Sequence, residues 1–254
     1  MKFFAISLKN AMVYRWQMIF SIIGSILFIA INILLWRFLY SNNDAMIIYM
    51  TQYTIVSNII AMFYIKGISE RIGSKVSTGA FVTDLIRPIN LFMMAWQMEL
   101  AGAFSRFIMK GLPVIVIYLP LLFRNASYHN IPLVLLSILL GHVLYVLIYS
   151  LLGFSAYILI EIWPFKRLVD DTIRLLAGSF IPLEILPESL RNIANILPFR
   201  FLFSFPMELL FQKNVNVHDL YHNFFILFIW ILIFAISNVV IYKRALNRAV
   251  VQGG

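Results

Sequence analysis

QMIFSIIGSILFIAINILLWRFLY, residues 17–40, decides the fold class of this chain. A single charge, Arg37, stands in this run of 24 residues, and a helix of that length crosses ~30 Å of hydrocarbon. Trp16 and Trp36 sit where aromatic anchors meet the two interfaces. Comparable apolar runs recur about six times along the 254 residues. Hydrophobic residues make up 62% of the chain and charged residues 12%, with a mean hydropathy of +0.89. No soluble core of this size needs such an excess. The expected fold is an all-α integral membrane domain occupying residues 1–254, with little left for a soluble module.

Upstream of the first run, residues 1–16 carry Lys2, Lys9 and Arg15 and no acid. Lys2 and Lys9 share a helical face, which predicts an interfacial helix on the inner surface. The start superficially resembles a signal peptide. However, Met18–Leu35 exceeds a 7–15-residue signal core, and Ser41-Asn42-Asn43 is no small-residue cleavage site. The run is expected to stay attached as the first span.

Downstream, the second span is placed at Ala45–Ile65. A polar stretch, residues 66–88, follows, with Ile68, Ile72, Val76 and Ala80 four apart on one face of a short helix. Pro88 closes it. A third span starting at Leu91 would put Glu99 and Arg106 in hydrocarbon, each at roughly 2.5–3.5 kcal/mol near the centre. The register Phe107–Phe123 avoids both, so Leu91–Arg106 is expected to be an interfacial connector, and Pro113 and Pro120 are expected to kink the span. The fourth span falls within Ile131–Ile160. Glu161–Asp171 forms an inner loop, and a short fifth apolar segment covers Thr172–Ile181. Residues 182–216 are too apolar for an ordinary loop. They are also too broken for a span, by Pro182, Pro187, Pro198 and Pro206. Helices that dip into the outer leaflet and return satisfy both properties. The sixth span is Asn223–Tyr242. With both termini inside, 15 of the 20 Lys and Arg lie on the cytoplasmic side, as the positive-inside rule requires.

Several chemistries are absent. The chain has no cysteine, which removes disulfide and thiolate sites. It has no Gly-Lys dipeptide and therefore no phosphate-binding loop. His129, His142, His218 and His222 lack HExxH spacing, so no metal site is expected. The net charge of +9 reads as inner-loop Lys and Arg facing anionic lipid rather than nucleic acid. Inside the spans, Thr51, Thr54 and Asn58 form a polar stripe, with Gln52 beside it and Asn32 deep in the first span. Such groups either line a substrate pathway or bond between helices. His142, Tyr145 and Tyr149 make a similar stripe in the fourth span.

Taken together, these features resemble the ABC-2-type permeases, the membrane subunits of one class of ATP-binding-cassette exporters. The resemblance is carried by Tyr14-Arg15, Gly24-Ser25 and Leu35-Trp36 at the start. It continues in IPLEILPESLRNIANILPFRFLFSFPMELL at residues 181–210 and YKRALNRAVVQGG at residues 242–254. Gln212 stands where the family has glycine. The resemblance implies a bacterial plasma-membrane exporter of two six-span subunits, identical or related, with a dimer of cytoplasmic ATPases. ATP and magnesium would then bind the ATPase partner, leaving this chain non-catalytic and without a cofactor. It further implies that the helix between spans two and three docks on the ATPase, with a lesser contact from the loop after span four. The corresponding residues here are Glu70, Arg71, Ile72, Lys75, Gly79 and Asp84, then Phe165, Lys166 and Arg167. The family's fourth span is peripheral, which favours a structural role for the His142–Tyr149 stripe. Pro182, Pro187, Pro198 and Pro206 would shape the outer gate. Asn32, Thr51, Gln52, Thr54 and Asn58 are the substrate-pathway candidates.

Other classes fit less well. An ion-gradient carrier or channel usually needs a buried coupling carboxylate, and in this register Asp and Glu lie in loops or at span ends. A membrane enzyme lacks a convergent catalytic set. A non-transporting scaffold or immunity protein remains a further class.

Overall fold

A computed structural model describes residues 15–64, 67–78, 91–122, 130–157, 159, 161–212 and 216–252. Helices and turns, with no strand, make up these residues. In chain order the α-helices are α1 (Arg15–Leu39), α2 (Asp44–Phe63), α3 (Ile68–Ser77), α4 (Leu91–Arg106), α5 (Leu112–Leu122) and α6 (Ile131–Phe154). They continue with α7 (Trp163–Leu176), α8 (Glu188–Ile196), α9 (Ser204–Phe211) and α10 (Val217–Gln252). Among the described residues, five helical stretches are long and apolar enough to cross a membrane. They are Ile19–Leu39, Asp44–Lys75, Phe92–Leu122, Ile131–Phe154 and Val217–Arg244, the second taking in α2 and most of α3. Residues 1–14 of the expected interfacial helix lie outside the described residues, while Arg15 and Trp16 belong to α1.

Asn43 begins α2 by accepting a hydrogen bond from the Met46 amide at 3.0 Å, an N-cap that satisfies one orphan donor of the first turn. α6 starts with proline in its first turn, where a missing N–H costs nothing. It is the central post, packed against α3, α9 and α10. Its buried Leu144, Tyr145, Ile148 and Tyr149 join Ile68 and Ile72 of α3 and Phe201–Phe205 in the main core. A smaller core of Ile29, Ile55, Met62 and Val114 joins α1, α2 and α5. α10 is fixed to α6 by a polar seam: Asn238 Nδ2 donates to the Leu147 carbonyl at 2.9 Å, and Ser150 Oγ donates to Asn238 Oδ1 at 2.7 Å. The outer faces of α1 and α10 expose Phe20, Ile31, Phe38, Phe225 and Ile236. Such faces suit lipid or a neighbouring subunit.

Two expectations are corrected. The chain runs helically from Leu91 to Leu122, so Leu91–Arg106 is no separate connector but the first half of one candidate span, Phe92–Leu122. The charge that argued for the shorter register is neutralised within the chain: Glu99 is buried and pairs with Arg71 at 3.0 Å. A π-helical turn, Phe107–Gly111, joins α4 to α5. It lies where Pro113 cannot supply an amide to the ladder. The fifth expected span, Thr172–Ile181, is also replaced. Its first half ends α7, a 14-residue amphipathic helix that begins at Trp163 and is not among the membrane-crossing candidates.

α7 stops because Gly178 turns the chain with φ +74°, the left-handed C′ position that glycine adopts without penalty. The Tyr53 hydroxyl donates to the Gly178 carbonyl, and the Ser204 amide donates to the Ala177 carbonyl at 3.0 Å. A Cβ at position 178 would lie 2.8 Å from Tyr53 Oη. Gly178→Ala therefore combines a left-handed alanine, about 1–2 kcal/mol, with a crowded hydroxyl. The expected result is a lower thermal-unfolding midpoint in detergent; an unchanged midpoint would refute this account of the turn.

Candidate transport cavity and inner docking face

α3 and α7 both belong to the stretches expected to face the cytoplasm. Their charged residues meet through one lysine. Lys166 Nζ lies 3.2 Å from Glu70 Oε1 and 2.9 Å from Asp170 Oδ2. Burial works against the ammonium, but its bonds to Asp170 and Glu70 outweigh that cost and hold its pKa above the usual lysine value. Asp170 also accepts the Tyr149 hydroxyl from α6. On the other side of α3, Arg71 reaches Glu99 in α4. The Arg106 guanidinium comes within 3.5 Å of the Tyr64 carbonyl.

The docking candidates therefore divide by placement. Glu70, Phe165 and Arg167 are exposed, Lys75 is half-exposed, and Arg71 and Lys166 are committed to ion pairs. Ile72 is fully buried inside this chain, where a Cβ at Gly153 would lie only 2.7 Å from its own Cβ. Gly79 and Asp84 lie outside the described residues. Trp163 and Leu168 add exposed apolar surface beside Phe165.

Glu99→Gln removes the anion of a largely buried pair while keeping its shape. Breaking a fully buried pair costs about 3–5 kcal/mol. Arg71 is 39% exposed, so solvent relieves part of its loss and about 1–2 kcal/mol is expected. Thermal unfolding of Glu99→Gln against Arg71→Met and the double variant checks this. Strictly additive losses would deny the pair.

A cavity of ≈ 580 Å³ opens beside this clasp, between α2, α6 and α7. That is the scale of small-molecule sites. Thr54, Ser57 and Asn58 line it from α2, and Tyr145 and Tyr149 from α6. Lys166, Arg167, Asp170, Asp171 and Arg174 line it from α7, and Phe28, Phe180 and Phe203 supply apolar wall. Tyr149 stacks on Tyr145 with centroids 4.3 Å apart, and Tyr145 stacks on Tyr64 at 4.7 Å. The Tyr64 hydroxyl donates to the Leu202 carbonyl in the proline-rich segment. Lys166 stands 5.9 Å from the centre of the Tyr149 ring. An aromatic ladder thus runs from the clasp, along the cavity wall, to the segment 182–216.

Of the pathway candidates, Thr54 and Asn58 line the cavity, while Asn32, Thr51 and Gln52 do not. Asn32 Nδ2 donates to the Phe28 carbonyl at 2.8 Å within α1. Gln52 Nε2 donates to the Leu121 carbonyl at 2.6 Å, tying α2 to α5. Thr51 is buried. Thr54 has two tasks: it lines the cavity and accepts the Trp36 indole N–H at 2.9 Å. A peripheral fourth span implies a packing role for Tyr145 and Tyr149. α6 is central, and both tyrosines line the cavity. Their spacing of four residues was the available signal. Ser57, which no spacing in the sequence marks, also lines the cavity, and its hydroxyl donates to the Ser179 carbonyl.

In the proline-rich segment 182–216 each proline stands at a helix boundary. Pro182 precedes the 3₁₀ turn Leu183–Ile185, Pro187 precedes α8, Pro198 opens the 3₁₀ turn Pro198–Leu202, and Pro206 sits in the first turn of α9. In each place the absent amide would have had no intrahelical acceptor. Arg200 pairs with Glu208 at 3.0 Å, and Asn130 Nδ2 bonds the Leu209 and Gln212 carbonyls at 3.0 Å each, fastening the segment to the start of α6.

A carboxylate does lie within a candidate span, against the expectation for Asp and Glu, but Glu99 is committed to Arg71. Among the described residues no group of three or more His, Cys, Asp and Glu is placed to hold a metal.

A family model described as "ABC-2 family transporter protein" matches residues 26–253. The comparison with curated proteins gives no match.

Proposed function

The chain belongs to the ABC-2 transporter family, and on that premise we propose that it forms the membrane half of an ATP-driven exporter. Energy enters from a separate cytoplasmic ATPase dimer, where ATP and magnesium bind. A second permease subunit, identical or related, completes the pathway in a bacterial plasma membrane, with both termini cytoplasmic. The re-entrant segment after Gly178 supplies the traverse between α7, on the inner side, and α10, completing a six-span arrangement. Proline-bounded turns near Pro182, Pro187, Pro198 and Pro206 form the outer gate.

The observation that carries this reading is the clasp at Lys166. It joins both expected docking elements directly beside the cavity, next to an exposed patch of Trp163, Phe165, Arg167 and Leu168. An ATPase that meets this patch differently with and without nucleotide would bias the helices that wall the cavity. Docking falls on the exposed side chains of the set, Glu70, Phe165 and Arg167.

Affinity purification of the full chain from its native membrane tests the reading. The expected result is recovery of a nucleotide-binding subunit whose association drops when Phe165→Asp and Arg167→Glu are combined. Recovery of no such subunit, with the neighbouring genes intact, would overturn the proposal.

A further inference from the structure

The charges that line the cavity do not cancel among themselves, although Glu70, outside the lining, adds a second anion to Lys166. Five charged side chains line it, all from α7. Asp170 is taken by Lys166 at 2.9 Å, and Asp171 lies 3.7 Å from Arg167. The remaining lining charge is Arg174, one turn further on, which forms no ion pair among the described residues. Ion pairing along α7 therefore leaves one guanidinium facing the cavity without an anion. A guanidinium is always charged and offers a fork of donors that matches a carboxylate or phosphate.

The rest of the wall defines the other end of a ligand. Phe28, Phe180 and Phe203 provide apolar surface, and stacked tyrosines form one side. Asn58 Oδ1 is buried and meets no donor among the described residues, although the side chain lines the same cavity. A buried acceptor without a partner is costly, so a ligand that brings an N–H or O–H there gains affinity. A cationic amphiphile would place like charge beside Arg174. A long polymer strand finds too little volume.

We infer that this cavity accepts an amphipathic anion of small-molecule size, its carboxylate or phosphate head on Arg174 and its apolar body along Phe28, Phe180 and Phe203. The inference rests on the permease reading, for which it names the class of cargo.

The test uses the full chain in nanodiscs of zwitterionic phosphatidylcholine. Octyl phosphate, octanoate and octyltrimethylammonium are titrated calorimetrically, with the signal of empty nanodiscs subtracted. At least one anion is expected to bind about tenfold or more tightly than the cation, as one well-placed charged contact provides. Comparing octyl phosphate with octanoate separates a phosphate head from a carboxylate head. Arg174→Gln should weaken anion binding about tenfold, whereas Arg174→Lys should keep most of it. Arg174→Glu should reverse the preference toward the cation. Because Arg174 is exposed, these variants leave the packed core untouched. Equal binding of anion and cation, or anion binding unaltered in Arg174→Gln, would overturn the assignment. This outcome is independent of the ATPase. Anion binding without any recoverable ATPase would remove the transport reading and keep the site. A transporter whose ATPase is stimulated by the cation alone would do the reverse.

Discussion

Replacing Gly153 by valine is expected to abolish transport and to lower the stability of the chain by about 2–3 kcal/mol. Gly153 is where α3 touches α6: a Cβ there would lie 2.7 Å from Ile72 Cβ and 3.1 Å from the Ser69 carbonyl oxygen. Neither atom is the far end of a flexible side chain, so relief requires moving the backbone of α3. Ile68, Ser69 and Ile72 are all fully buried, and a close-packed interior transmits such a shift rather than absorbing it. Moving α3 also moves Glu70 and Arg71, which hold Lys166 and Glu99. One added branch at position 153 therefore disturbs two ion pairs as well as packing. Gly24→Ala is the control, since among the described residues nothing beyond the helix's own backbone lies within 4 Å of a Cβ built there. In a helix interior that change is stabilising by up to ~1 kcal/mol. Ile72→Ala keeps the Cβ at 2.7 Å, so the informative double variant is Gly153→Ala with Ile72→Gly, whose losses should fall short of additive because contacting residues couple. Thermal unfolding and transport rates of the four chains measure this, and unimpaired transport in Gly153→Val would refute the close approach of α3 and α6.

The same contact explains what the sequence could reveal and what it hid. The end of α1 is legible because its hydropathy run stops abruptly at Tyr40, and the four proline breaks of residues 182–216 are legible one by one. The length of the third span is not. Counting Glu99 and Arg106 as solitary charges makes a helix beginning near Leu91 expensive. The partner that removes the cost for Glu99 is Arg71, 28 positions earlier, and sequence spacing carries no sign of that pairing. Likewise, the stripe Thr51, Thr54 and Asn58 marks a polar face of α2 correctly. A helical face is wider than a cavity, though, and only Thr54 and Asn58 of that set reach one. Tyr145 and Tyr149 belong to the site because α6 is the post around which the other helices stand, a fact of tertiary packing. Ile72 shows the converse. Periodicity marks its apolar stripe, and docking by analogy places it outward, but Ile68 and Ile72 of that stripe pack against α6.

Lys166→Met is expected to reduce transport at least tenfold while costing about 1–2 kcal/mol of stability. The two effects differ because of what the lysine joins. Its pairs with Glu70 and Asp170 involve carboxylates that are 54% and 37% exposed, so water relieves most of the electrostatic loss. The mechanical loss has no such relief. Lys166 is the one bridge, among the described residues, between Glu70 on α3 and Asp170. Asp170 in turn holds Tyr149 and the ladder through Tyr145 and Tyr64 to Leu202. Contiguity alone is spatial evidence; coupling requires that removing one member alters the response at another. The discriminating readout is therefore stimulation of the associated ATPase by cargo, which Lys166→Met should lose while basal hydrolysis persists. Lys166→Arg should retain part of it, since a guanidinium can still bridge two carboxylates. A simple charge exchange, Glu70→Lys with Lys166→Glu, should fail because Asp170 would then face a carboxylate, and adding Asp170→Asn should restore function in part. The lysine's folded pKa lies above its ordinary value of 10.5. Its contribution is therefore complete below that pH and is lost only as alkalinity rises through the folded value. Full cargo stimulation in Lys166→Met would show that force reaches the cavity by another route.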